Sequence, residues 1–224
     1  MKVKLGLALA LGMVFAGSQP AFGGDYYAGA LGGIATLSAD GRSVLSPAMS
    51  QLSLYKPENG PALNVLAGWD FSRYLSVQGN YIWNRNDLTL VSTAFGSAAT
   101  SQYEEARSSQ QSSVIVDLLG YMRARDSRVR PYLSCGTGLE HLSSSVNLVK
   151  LATGSLPLPP QQFSANHIAL RVAVGIDLKI ARGWAFRYSF SEAIASNPIS
   201  QQLVPPGQRG LENFQNLFGL VWHF

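Results

Sequence analysis

Cysteine is almost absent, Cys135 being the only one. No intramolecular disulfide can hold this chain together, and no cysteine stands at the expected cleavage site to carry a lipid anchor. Charge is scarce too, at 13% of residues against roughly 25% in average soluble domains. Histidine is confined to His141, His167 and His223, so without a Cys/His cluster no metal site is expected, and no cofactor either. After the first residues no apolar run approaches the roughly 20 that a membrane-spanning helix needs. A domain without disulfide, metal or spanning helix must be held by something else.

The opening "MKVKLGLALALGMVFAGSQPAFGG" supplies part of the context. Lys2 and Lys4 form a basic start, Leu5 to Phe15 a short apolar core, and Ala21-Phe22-Gly23 a small-x-small cleavage site. Residues 1–23 are therefore expected to be a secretory signal and 24–224 the mature domain. Without Lys2 and Lys4, 15 of the 17 basic residues face 13 acidic ones, a net of +2. So small a surplus provides no clustered basic face, which excludes nucleic acid as a partner.

Prolines punctuate the rest, because a strand interior needs the backbone N–H that proline lacks. Nine of the eleven fall in four Ser/Gln/Asn-rich stretches, which read as loops. Between them the period is two. In "LSVQGNYIWN" Leu75, Val77, Gly79, Tyr81 and Trp83 share one face and Ser76, Gln78, Asn80 and Asn84 the other, with Ile82 the exception. "HIALRVAVGIDLKI" alternates Ile168 through Ile180 against Ala169, Arg171, Ala173, Gly175, Asp177 and Lys179. The pattern gives eight strands, near 25–37, 62–71, 75–84, 112–123, 129–142, 165–180, 184–192 and 214–224. Short links (SRY, ARDSR, ARG) alternate with links of about 20 residues or more, as in an up-and-down barrel.

Size decides which face meets water. An interior of about eight strands is barely wide enough for ordinary side chains, and the Trp, Phe, Tyr and aliphatic residues of the apolar faces would not fit. They are expected to face lipid. The opposite faces, rich in Gly, Ala, Ser and Asn, would fill the lumen, with Asp117, Glu140, Arg171, Asp177, Lys179 and Arg187 as interior charges that pair. Pairing matters because a buried charge left alone costs several kcal/mol. Trp69, Phe71, Tyr74, Trp184, Trp222 and Phe224 cluster at the short-turn ends, where an interfacial aromatic girdle belongs.

With its eight expected strands, "GWDFSRYLSVQGNYIW", "RVRPYLSCGTGLEHL" and "FGLVWHF", the chain resembles the OmpA-like outer-membrane β-barrel superfamily of Gram-negative bacteria. The resemblance implies an all-β, eight-stranded antiparallel transmembrane barrel in the bacterial outer membrane. No peptidoglycan-binding domain is expected after it. It also implies an assembly signal at Phe218, Leu220, Trp222 and Phe224. The implied partners are outer-membrane lipid and lipopolysaccharide, the outer-membrane assembly machinery, and an extracellular partner met by four long loops. The role would be structural or interactive: adhesion, recognition or membrane integrity. A narrow, low-conductance pore is the alternative, weakened because water-filled porins use about 16 strands or more.

No catalytic residues are expected. His141 and Ser143 in "HLS" resemble the His-x-Ser spacing of outer-membrane lipid A deacylases. However, Glu140 points to the opposite face of the strand and the next acid after Ser143 is Asp177. Gly29, Gly32 and Gly33 of "GALGG" precede no helix and read as close strand contacts rather than a phosphate loop. Glu104, Glu105 and Arg107 read as solvated surface of the second long loop, "PLPP" as a loop stiffener, and Cys135 as a small group on the lipid side.

Overall fold

Side chains that alternate at period two demand extended backbone, and extended backbone is what the chain adopts. A computed structural model describes residues 25–38, 43–45, 50–95, 100–153, 161–196 and 211–224. The expected signal segment and the "PLPP" stretch lie outside the described residues. The strands are β1 (Asp25–Ser38), β2 (Ser43–Leu45), β3 (Ser50–Pro57), β4 (Asn59–Asp70), β5 (Leu75–Phe95), β6 (Thr100–Tyr121), β7 (Val129–Thr153), β8 (Gln162–Ala181), β9 (Trp184–Ala195) and β10 (Leu211–His223).

Eight of them close a ring in the order β5-β4-β1-β10-β9-β8-β7-β6, with β6 returning to β5. All pairs are antiparallel, and β1 meets β10 from Tyr27↔His223 to Ser38↔Glu212. Closure gives every ladder a partner, the condition for strands to cross hydrocarbon. Residues 71–74, 122–128 and 182–183 make the short turns; in the last, Gly183 takes φ +77°, a left-handed conformation open to glycine. The Phe224 N–H donates to Tyr26 O at 2.9 Å, so both ends of the barrel domain lie at the short-turn rim.

Burial follows the predicted parity. Ile168, Leu170, Val172 and Val174 are 47–71% exposed, whereas Ala169, Arg171 and Asp177 on the opposite face are 0–3% exposed. Ile82, the apolar exception in its polar row, is buried inside. It has company: Leu31, Leu66, Leu217 and Val221 pack with Tyr27 into an apolar cluster within the lumen, so the interior is less polar than the sequence suggests. Two rings fit there only because glycine faces them. A Cβ on Gly68 would fall inside the Tyr27 ring, and one on Gly175 inside the Tyr132 ring.

The sequence reading errs on strand length. β5, β6 and β7 run well past the expected limits at 84, 112 and 142, pairing from Arg85↔Gln110 up to Phe95↔Thr100 and Gln102↔Thr153. The second long loop is therefore mostly a hairpin, because beyond the membrane a strand needs no apolar face and the contrast that marks it disappears. Prolines mislead as well, since Pro57 closes β3 and Pro61 lies within β4. Between Pro57↔Leu88 and Ala62↔Asn84 four residues, Pro61 among them, oppose three on β5, a bulge next to Pro57.

Candidate functional site

The lumen is built in layers, each supplied by inward residues of several strands. Nearest the short turns, Arg130 Nη1 donates to Asp70 Oδ2 at 3.4 Å and lies 3.7 Å over the Tyr121 ring. Arg125 pairs with Asp25 at 2.6 Å. Above them Arg187, fully buried, donates from Nε and Nη2 to the two oxygens of Asp177, at 2.6 Å each. Its Nη1 reaches Gln78 Oε1 at 2.5 Å and its Nη2 the Tyr121 hydroxyl at 2.9 Å. The Tyr27 and Tyr132 rings flank its guanidinium at 5.4 and 5.1 Å. One side chain of β9 is thus tied to β5, β6 and β8.

The next layer pairs Arg171 with Asp117, whose Oδ2 also accepts from Asn80 Nδ2 at 3.1 Å. Asn64 donates to Asn80 at 3.0 Å, drawing β4 into the same network. Higher still, Asn213 Nδ2 bridges Asn84 Oδ1 at 3.0 Å and Gln111 Oε1 at 2.5 Å across the barrel. At the top Arg107 pairs with Glu105 at 3.0 Å and donates to Ser144 Oγ at 3.2 Å. Arg187, Gln78, Asp117, Arg171, Asn84, Asn213 and Arg107 are all at most 5% exposed. Packed side chains fill the lumen at each of these levels.

The predicted interior charges divide three ways. Asp117 with Arg171 and Asp177 with Arg187 are brought together as two buried pairs. Glu140 is buried at 3%, and among the described residues it has no cation beside it and its Oε1 no hydrogen-bond partner. Lys179 is only half-buried at the short-turn rim, where its Nζ donates to Arg125 O at 2.6 Å rather than to a carboxylate, so its place inside the lumen is corrected.

Glu105 and Arg107 are corrected in the opposite direction. They are not solvated surface but 1% and 0% exposed. The reason is parity: Gln111, Ser109, Arg107 and Glu105 continue the inward row of Asp117 toward the start of β6, so extending the period past the expected strand limit finds them. Glu104, on the other face, pairs with Lys150 at 3.1 Å.

Outside, Phe218, Leu220, Trp222 and Phe224 all point outward, 43–64% exposed. Trp222 packs against Phe224 at 4.4 Å and Trp184 at 6.1 Å, and Trp69 against Phe71 at 5.7 Å and Tyr26 at 6.4 Å. These rings form a belt around the short-turn end. His141 and Ser143 are exposed on the outer face; the His141 Nδ1 lies 2.7 Å from Asn166 Oδ1, and Glu140 is on the lumen side. Among the described residues no group of three or more His, Cys, Asp or Glu could hold a metal ion.

A closed eight-stranded antiparallel ring with an apolar outside, an aromatic belt and an ion-paired inside is the geometry of one class of protein. The family model for the outer membrane protein beta-barrel domain matches residues 6–224. This chain belongs to that family. Its place is the bacterial outer membrane. Among solved structures it is similar to Neisserial surface protein A, at 13% identity and TM-score 0.53, over 90% of this chain and 99% of that one. Ail, the attachment invasion locus protein of Yersinia pestis, is similar at 13% identity and TM-score 0.48, over 90% and 97% of the respective chains. OprG from Pseudomonas aeruginosa follows at 14% identity and TM-score 0.46, over 90% and 96%. No curated protein matches in sequence.

Proposed function

We propose that this outer-membrane barrel is a surface-interaction protein that neither conducts nor catalyses. The carrying observation is the contrast between a stoppered lumen and a tall outer wall. β5 continues 11 residues beyond Asn84, where the sequence reading ended it. At strand rise and barrel tilt this raises β3, β5, β6 and β7 roughly 25–30 Å above the last lipid-facing ring. In bacterial barrels the short turns face the periplasm and the long connections the outside, so this wall is the part that offers itself to an extracellular partner. The apolar face contacts outer-membrane lipid and lipopolysaccharide, and the outward row Phe218, Leu220, Trp222 and Phe224 engages the assembly machinery.

Replacing residues 88–107 by Asn-Gly, a natural two-residue hairpin turn, is expected to leave a folded barrel and remove adhesion by cells that display the protein. Unchanged adhesion would overturn the interactive role. In planar bilayers the purified protein is expected to be silent, because the buried ion pairs leave water no path. Reproducible conductance steps would replace this reading with the narrow pore. Incubation with lipopolysaccharide is expected to release no acyl chains; release that His141→Ala and Ser143→Ala abolish would establish catalysis.

A further inference from the structure

The charge of this barrel is not evenly spread. At the short-turn rim Arg125 and Arg130 are matched against Asp25 and Asp70. What remains there is Arg73, Arg123, Arg128 and Arg182, all exposed, with Lys179 and a single acid, Asp126. No described residue forms an ion pair with any of the four arginines. Every short turn contributes at least one: Arg73 in 71–74, Arg123 and Arg128 in 122–128, and Arg182 in 182–183. Ser72, Arg73, Arg125, Asp126 and Lys179 line one open cavity of about 680 Å³ on this rim, so cations from separate turns share one space.

The neighbours of these arginines say what kind of anion they meet. Arg73 lies between Phe71 and Tyr74, 40% and 50% exposed; Arg123 follows Met122, 64% exposed; and Arg182 lies between Ile180 and Trp184, 60% and 43% exposed. Such outward apolar side chains sit in the acyl boundary, and aromatic ones at headgroup level. An arginine within two residues of them is held at the depth of the phosphates, and Arg128 shares the 122–128 turn with Arg123. Its planar fork can meet a phosphate with two parallel N–H···O bonds. A site for a soluble anion would need no such lipid-facing flanks.

We propose that the short-turn rim is a binding surface for anionic phospholipid headgroups, whose phosphates are taken by Arg73, Arg123, Arg128 and Arg182. It ties the barrel to the leaflet that its turns face and is independent of what the outer wall contacts. Together with the aromatic belt, it fixes the depth of this end of the barrel.

The test uses tryptophan fluorescence. Trp69, Trp184 and Trp222 all lie in the belt beside this rim, so Trp83→Phe leaves only reporters at the right depth. The protein is reconstituted in symmetrical vesicles, where insertion direction does not matter, with brominated phosphatidylglycerol or brominated phosphatidylcholine as quencher in competition with the other lipid. Phosphatidylglycerol is expected to be preferred about threefold to fivefold, the scale of one basic side chain at an anionic surface. The preference shrinks in high salt. Changing the four arginines to glutamine should bring it to parity while the heat-modifiable folded band persists, and changing them to lysine should retain it. If the fourfold glutamine variant does not fold, the pair Arg123→Gln and Arg182→Gln is expected to halve the preference. Equal quenching by both lipids in the unsubstituted rim overturns the proposal, as does a preference untouched by the glutamine changes. Inorganic phosphate at matched ionic strength is expected to leave the quenching unchanged; relief by phosphate would assign the site to free anions instead. Absence of quenching by either lipid would contradict membrane insertion itself.

Discussion

Arg187→Leu is expected to cost the barrel about 3–5 kcal/mol, the usual loss when one member of a buried ion pair is removed. The guanidinium is fully buried, makes four hydrogen bonds to Asp177, Gln78 and Tyr121, and lies between two tyrosine rings. Leucine would leave Asp177 in a place water does not reach and untie β9 from β5, β6 and β8. The urea midpoint of the lipid-reconstituted protein, followed by loss of the fast-migrating unboiled band, is the measurement. Arg187→Leu with Asp177→Leu should recover much of the loss, because an apolar pair of similar volume often replaces a buried ion pair without penalty. An unchanged midpoint in the single variant would mean that the layer carries no stability.

A second large effect is expected from Gly68→Ala. The added carbon would fall inside the Tyr27 ring, whose hydroxyl is held 2.7 Å from Ser76 Oγ and donates to Gln78 Oε1 at 3.1 Å. Overpacking of this kind costs about 1–3 kcal/mol, and moving the ring forfeits its hydrogen bonds at about 1 kcal/mol each. Tyr27→Val in the same chain should recover the steric part. Gly79→Ala is the control: its nearest atom beyond its chain neighbours, Ala67 O, is 3.9 Å away on the outer face. Its urea midpoint should stay at the unsubstituted value. If Gly68→Ala behaves like that control, the two rings are not fitted against glycine as described.

Where lipid presses on one side of a strand and a crowded lumen on the other, parity in the sequence carries most of the fold. Strand β8 was legible residue by residue for that reason, and so was the pair of faces in β5 up to Asn84. Pairing partners were not legible. Nothing in the sequence tells that Arg187 meets Asp177 ten positions away, or that Glu140 meets no cation among the described residues, since both depend on ring order and on the height of each layer. Above the membrane the contrast fades: in Arg85 to Gln111 a few apolar residues such as the buried Leu88 and Leu90 stand among many polar ones with no sustained alternation, so two long strands read as a loop and Glu105 and Arg107 as solvent-facing. Pro57 and Pro61 look like breakers in the sequence because the bulge that accommodates them is a property of two strands, not one.

In this barrel the apolar faces turn outward to hydrocarbon and the charged and small residues inward. Cys135 offers a direct test, being the only cysteine, exposed on β7 opposite the outward Leu118 and Val172, while its neighbour Ser134 is buried. A nitroxide on Cys135 in reconstituted protein should relax strongly with oxygen, which partitions into lipid, and weakly with a water-soluble nickel chelate. The same label on Ser134→Cys, in a Cys135→Ala background, should be shielded from oxygen. Nickel access at position 135 together with oxygen access at position 134 would turn the barrel inside out and contradict the account.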